Sequence, residues 1–179
     1  RETARTLLGL PKRQLFCTSA PVDLSFVLTM PGEFDLTGLT CPEVTPARNV
    51  ALQKGDYFAY LARHDLLLAL PYQSVNPFVD LLYEAADDPD VVSIKITLYR
   101  LAGSSRIAAA LAYAAEHGKQ VQCLLELRAR FDEQSNIDYS RMLEDAGCDI
   151  LYGLTQYKVH TKLCLITRRC PGGICYYTQ

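Results

Sequence analysis

The sequence predicts an α/β layered fold: a mainly parallel sheet flanked by helices and ending in an antiparallel hairpin. Three observations carry this. From Asp65 onward, apolar or β-branched runs alternate with stretches of helical spacing, the pattern of βα units. The later helical stretches stop at Gly118 and Gly147, as helices that end in a left-handed residue do. Cys170-Pro171-Gly172-Gly173 separates the last two apolar runs by a tight turn, which makes them a hairpin.

Residues 1–50 precede the alternation. Pro11, Pro21, Pro31-Gly32, Gly38, Pro42 and Pro46 punctuate them. Within them the stretch PVDLSFVLTM suits one strand or short helix. The expected division is the tail of a preceding domain and a linker over 1–50, with an N-terminal arm of the same domain as the alternative, and an α/β domain over 51–179. In that domain, Asp56–Ala62 has helical character. Asp65–Leu70 is a continuous apolar run closed by Pro71 and is expected as a buried strand. Over Ser74–Ala86, Phe78, Val79, Leu81, Leu82, Ala85 and Ala86 fall on one helical face, with Pro77 in the first turn. Val91–Tyr99 is β-branched and partly alternating, hence a strand. Ser105–Glu116 is an Ala-rich helix, Gln120–Leu127 a strand, and Asn136–Ala146 a helix. Asp149–Tyr152 and His160–Thr167 follow as strands, and Ile174–Tyr177 completes the hairpin.

The chain has 179 residues, room for one domain with a flanking segment and a sizeable core. Its apolar runs fall far short of the roughly 18 residues that span a bilayer. The N-terminus lacks a charged-then-apolar leader and does not begin with Met, so the chain is expected to be an excised piece of something larger. The net charge of −2 does not announce a nucleic-acid binder. The charge is uneven, however. Residues 1–94 hold seven basic and twelve acidic side chains (−5), and residues 95–179 hold eleven and eight (+3). Seven cysteines form no CxxC pair, and free buried thiols in a reducing compartment are the expectation. A zinc site from His160, Cys164, Cys170 and Cys175 lacks paired-knuckle spacing and is set aside.

In such sheets ligands gather at the carboxyl ends of strands. Tyr99-Arg100 closes one strand. Glu126, Arg128 and Arg130 follow another. The segment Tyr157-Lys158-Val159-His160-Thr161-Lys162 leads into a third. His160 and Lys162, two apart, share a face on an extended chain. An imidazole beside an ammonium invites an anion between them. Neutral imidazole is a nucleophile toward phosphorus, and Lys162 would neutralise the equatorial oxygens. A short motif like this recurs by chance, and a solvated Lys162 beside a structural His160 is the plain alternative. Arg100 and Arg130 offer guanidinium forks that match phosphate oxygens, or equally a carboxylate partner such as Asp132 or Glu133. His64 and His117 sit at helix ends, where capping suffices. No P-loop and no GxGxxG is present.

The stretches LPYQSVNPFVDLLYEAADDPDVVSIKITLYR, LLELRARFDE followed by NI, and YGLTQYKVHTKL resemble the first C-terminal catalytic domain of the phospholipase-D-like polyphosphate kinases. PVDLSFVLTM resembles the end of the helical domain before it. The resemblance is densest over Asp65–Arg169. It implies a phospholipase-D-like fold and reversible transfer of the terminal phosphate of ATP to inorganic polyphosphate through a phosphohistidine. His160 occupies the phosphorylated position. Arg100 and Arg130 match the family's magnesium and phosphate positions. The implied cofactors are Mg²⁺ and ATP, and the implied partners are ATP/ADP and polyphosphate, with no nucleic acid. A homo-oligomeric, cytoplasmic parent with peripheral membrane association is a further implication. No nucleotide-contacting residue is assignable within the chain. Related diesterases carry HxKx₄D, and Thr167 stands where that Asp would be, which counts against a phosphodiesterase. A non-catalytic polyphosphate-binding module is the other alternative for the isolated piece.

Overall fold

The computed structural model describes residues 2–16, 18–42, 44–48, 57–101, 104–127, 133–154 and 156–179. The chain divides into two compact units, Arg1–Val44 and Thr45–Gln179. The first holds α1 (Glu2–Leu7), two 3₁₀ turns (Lys12–Gln14, Ser25–Leu28) and α2 (Met30–Glu33). None of its described residues is buried. PVDLSFVLTM thus takes the short-helix alternative.

The second unit runs α3 (Tyr57–Leu61), α4 (Asn76–Asp87), β1 (Val91–Leu98), α5 (Arg106–Glu116), β2 (Gln120–Leu125), α6 (Glu133–Asp145), β3 (Asp149–Tyr152), β4 (Cys164–Cys170) and β5 (Gly173–Thr178). The strands form one 5-stranded sheet in the order β3-β2-β1-β4-β5. β1 pairs in parallel with β2, and β2 with β3. β4 is antiparallel to both β1 and β5. All strands but β4 therefore point the same way, and the sheet is mainly parallel as expected.

The register explains the core. Ile94 faces Val121 and Ile166 across the ladders, and Ile96 faces Cys123 and Cys164. These residues are buried and share one side of the pleat. α4 packs on α5 and α5 on α6 over that side, contributing Leu82, Ala85, Leu111, Ala114 and Leu143 to one cluster. Each fully buried leucine there is worth about 1.5–3 kcal/mol relative to exposure. Lys95, Thr97, Gln122 and Leu151 line the opposite side, which is only partly covered. Ser105 caps α5, its hydroxyl accepting the Ala108 N–H at 3.2 Å. Gly118 and Gly147 terminate α5 and α6 at φ 79° and 94°, as their sequence positions suggest. Glu84 of α4 receives the N–H groups of Tyr57 and Phe58 at 3.1 and 3.2 Å, capping α3 from a neighbouring helix. Arg168 pairs with Asp88 at 2.8 Å and Asp90 at 3.4 Å, and its guanidinium lies over Phe58. It ties β4 to the turn before β1.

Two expected strands are corrected. Asp65–Leu70 is not a strand. Leu67 and Leu70 are 87% and 54% exposed, and no described strand pairs with the segment. Its Ala69 N–H is instead taken by the Gln73 side chain at 2.8 Å. A continuous apolar run carries no alternation to fix a partner, so its periodicity could not assign it to the sheet. The strand expected from His160 begins only at Cys164. Between them, the Thr97 hydroxyl replaces a ladder position: it donates to Thr161 O at 2.6 Å and accepts the Leu163 N–H at 2.8 Å.

The cysteine expectation holds in part. Cys123, Cys148 and Cys164 are free and buried, and Cys41 is free and exposed. Cys170 and Cys175, however, form a disulfide across the β4–β5 hairpin. The turn brings them close although they are five residues apart. Burial pushes the Cys164 thiol up to about 12. Burial, then Asp80, pushes the Tyr57 hydroxyl up to about 12 as well. Both groups stay protonated in the folded chain where the unfolded chain has begun to ionise, from 9.0 for the thiol and 10.0 for the phenol. Their stabilisation is complete below those values and is lost as pH rises toward about 12. Thermal melts should therefore show a falling Tm above pH 9, and Cys164→Ala should flatten the fall. An unchanged slope in that variant would remove Cys164 from the account.

Candidate active site

The carboxyl ends of β1, β2 and β3 converge beside the segment that leads into β4. Glu126 N bonds Leu98 O at 3.1 Å and Gly153 N bonds Leu125 O at 3.2 Å, so the three strand ends remain in register past their last ladder residues. Tyr99, directly after β1, is half-buried with its ring at the centre of the site. The His160 ring meets it edge-on at 4.7 Å and 70°. Lys162 Nζ lies 4.4 Å from the ring centroid, Lys158 Nζ 5.6 Å and Arg100 Cζ 5.8 Å.

The structure thus brings together His160, Lys162 and Arg100, three of the residues expected at the site, around one aromatic ring. Arg130 lies outside the described residues, as do Arg128 and Asp132. Thr167 sits within β4, opposite Ser93 and Tyr176, toward the other end of β1. Of the other histidines, His117 turns its Nδ1 onto Tyr113 O at 2.8 Å at the end of α5, and the His64 ring contacts Tyr60 at the end of α3.

The sequence places Tyr99 and Lys158 at the strand ends but gives neither a role there. Lys158 lies two residues before His160, and that spacing was the signal available. Tyr99 gave none: its role depends on β1 lying beside the 157–162 segment. His160, Lys158, Lys162 and Arg100 are all exposed. Among the described residues, no carboxylate pairs with Lys158 or Lys162. Lys162 donates to the backbone carbonyl of His160 at 2.6 Å, and an ammonium has two further donors. For cations at exposed sites the negative face of a ring returns about 0.5–1 kcal/mol each. That offsets part of the mutual repulsion of such cations, and a polyanion would offset more.

A cavity of about 680 Å³ adjoins the cluster, lined by Tyr99, Arg100 and Lys162 together with Leu66, Phe78 and Leu98. The Asp65–Leu70 segment, displaced from the sheet, forms part of its wall. The volume is that of a small-ligand site. Its cationic side fits phosphate oxygens. Arg100 offers donors only and ligates no cation, and among the described residues no three carboxylate, imidazole or thiol groups converge.

Comparison with known proteins gives a consistent result. Residues 56–179 match the family described as polyphosphate kinase C-terminal domain 1. A polyphosphate kinase of Staphylococcus haemolyticus is 40% identical over 169 residues, covering 93% of this chain and 23% of that protein. One of Pseudomonas aeruginosa is 42% identical over 172 residues, covering 96% and 25%. The crystal structure of polyphosphate kinase from Porphyromonas gingivalis is similar at 41% identity and a TM-score of 0.49, over 57% of this chain and 15% of that one. The chain spans about a quarter of the length of the curated relatives it matches.

Proposed function

The chain belongs to the polyphosphate kinase C-terminal domain 1 family, and from that premise we propose that it carries the phosphoryl-accepting histidine of an ATP:polyphosphate phosphotransferase. The observation that supports this best is the grouping of His160 with Lys162, Lys158 and Arg100 around Tyr99. A ring nitrogen of His160 attacks the γ-phosphorus of ATP in line. An N–P bond forms, the bond from that phosphorus to the β–γ bridging oxygen breaks, and its electron pair leaves on ADP. Lys162 and Arg100 grip the equatorial oxygens, whose charge spreads in the transition state. The phosphoryl group then passes to the terminal oxygen of polyphosphate, and the reverse sequence regenerates ATP. Lys162 and Arg100 would hold the phosphate oxygens, and a Mg²⁺ bound to the nucleotide would supply further charge neutralisation.

The chemistry of the neighbours favours transfer over diester hydrolysis. Thr167 offers no carboxylate at the diesterase position, and the cationic cluster suits a chain of many phosphates. The protein as its gene encodes it, given ATP and a short polyphosphate, should lengthen the polymer. Given ADP and long polyphosphate, it should make ATP. It should leave bis(p-nitrophenyl) phosphate intact. Diester hydrolysis without either transfer would replace the kinase reading by the diesterase one, and binding without chemistry would leave a polyphosphate-binding module.

A further inference from the structure

We propose that Glu126 is a positioning residue for His160: its buried carboxylate fixes the backbone of the segment that carries the imidazole. The proposal rests on the phosphohistidine reading for its kinetic consequence, but its structural content stands on geometry alone. Glu126 follows β2 and is 4% exposed. Its backbone N–H already continues the ladder to Leu98, so the sheet asks nothing of the side chain. An apolar residue would bury there without the desolvation a carboxylate incurs. The carboxylate accepts the N–H of Val159 at 2.8 Å, one residue before His160.

Two further residues are shaped around this contact. Asn136 of α6 is 1% exposed. Its amide nitrogen donates to Tyr99 O at 2.9 Å and to Glu126 O at 3.0 Å. One side chain thus joins the ends of β1 and β2. It thereby sets the spacing between the Tyr99 ring that His160 packs on and the carboxylate that holds Val159. Gly153, after β3, leaves the room: a Cβ there would lie 3.2 Å from Val159 Cγ2 and 3.3 Å from Glu126 Oε2. On the other side of His160, Thr161 O and Leu163 N are bound by the Thr97 hydroxyl. His160 therefore stands in a short irregular stretch pinned on both flanks, at the carboxyl end of the central strand β1. That is what an in-line attack needs, because a misplacement of about 1 Å can cost about 10²-fold in rate.

The test uses Glu126→Ala, Glu126→Gln and Gly153→Ala in the protein as its gene encodes it, with two readouts. Amide hydrogen exchange should quicken roughly 10- to 100-fold over 157–162 in Glu126→Ala, the loss expected for a hydrogen bond to a charged acceptor. Exchange over β1 should not change. Single-turnover phosphorylation of His160 should slow by about 10²-fold with the KM for ATP little moved. Glu126→Gln keeps a carbonyl acceptor at the same place and should recover most of both losses. Gly153→Ala, which crowds the contact without touching the acid, should quicken exchange over the same peptide. It also serves if Glu126→Ala does not fold. Unchanged exchange at Val159, or a Gln variant as impaired as the Ala variant, overturns the proposal. So does quickened exchange with normal phosphorylation. If the unsubstituted protein does not phosphorylate His160, the kinase reading fails, and the exchange arm alone still decides whether Glu126 anchors the segment.

Discussion

Replacing His160 by alanine, in the protein as its gene encodes it, should eliminate acid-labile, alkali-stable phosphate incorporation from ATP. Polyphosphate synthesis should fall by on the order of 10⁴-fold or more, because a covalent intermediate cannot form without its nucleophile. The loss should be purely chemical. His160 is exposed, and its contact with Tyr99 is worth about 0.5–1.5 kcal/mol. The carbonyl that receives Lys162 belongs to the backbone and survives the substitution. The melting temperature should therefore move by no more than a few degrees. His64→Ala and His117→Ala are matched controls, since both rings serve helix ends. Label that persists in His160→Ala and disappears in either control would move the phosphate carrier to another histidine.

The parts of this site differ in how far the sequence disclosed them, for a physical reason. Val91–Leu98 is rich in β-branched residues, Gln120–Leu125 alternates with Val121, Cys123 and Leu125 buried, and α5 carries an alanine-rich face between a serine cap and a glycine stop. Local chemistry decides such elements, and they fall where the sequence puts them. The pairing of His160 with Lys162 is also local, a matter of two residues in extended chain. Tyr99, Glu126 and Asn136 join the site through strand order instead. β1 lies between β2 and β4, so its end meets the 157–162 segment on one side and Glu126 on the other. No spacing along the chain encodes that adjacency. The Asp65–Leu70 segment fails in the opposite direction. Its apolar content is that of a buried strand, yet it lines a cavity beside Arg100 and Lys162. The hairpin disulfide belongs with the non-local features: Cys175 pairs with Arg168 and Cys170 with Gly173, a register that only the folded turn reveals.

Lys162→Met should be the second most damaging substitution at the site, lowering the rate of phosphoryl transfer by about 10²–10³-fold. Methionine keeps the length and apolar body of the side chain and removes only the charge and donors. The ammonium lies nearer the Tyr99 ring than either other cation does, at 4.4 Å against 5.6 and 5.8 Å. One donor is spent on His160 O, which holds the group beside the imidazole. Two further donors remain to meet a phosphate oxygen. Lys158→Met, with the more distant charge, should cost less, and its effect should appear mainly in the apparent affinity for polyphosphate. The two should separate on salt. Screening acts over about 10 Å at 0.1 M, so a charge that attracts the polymer loses influence as salt rises. A charge in contact with the transferring group keeps it. The Lys162→Met defect should therefore persist at high salt while the Lys158→Met defect fades. If both defects fade together, Lys162 acts as a general attractor of the polymer and not on the transition state.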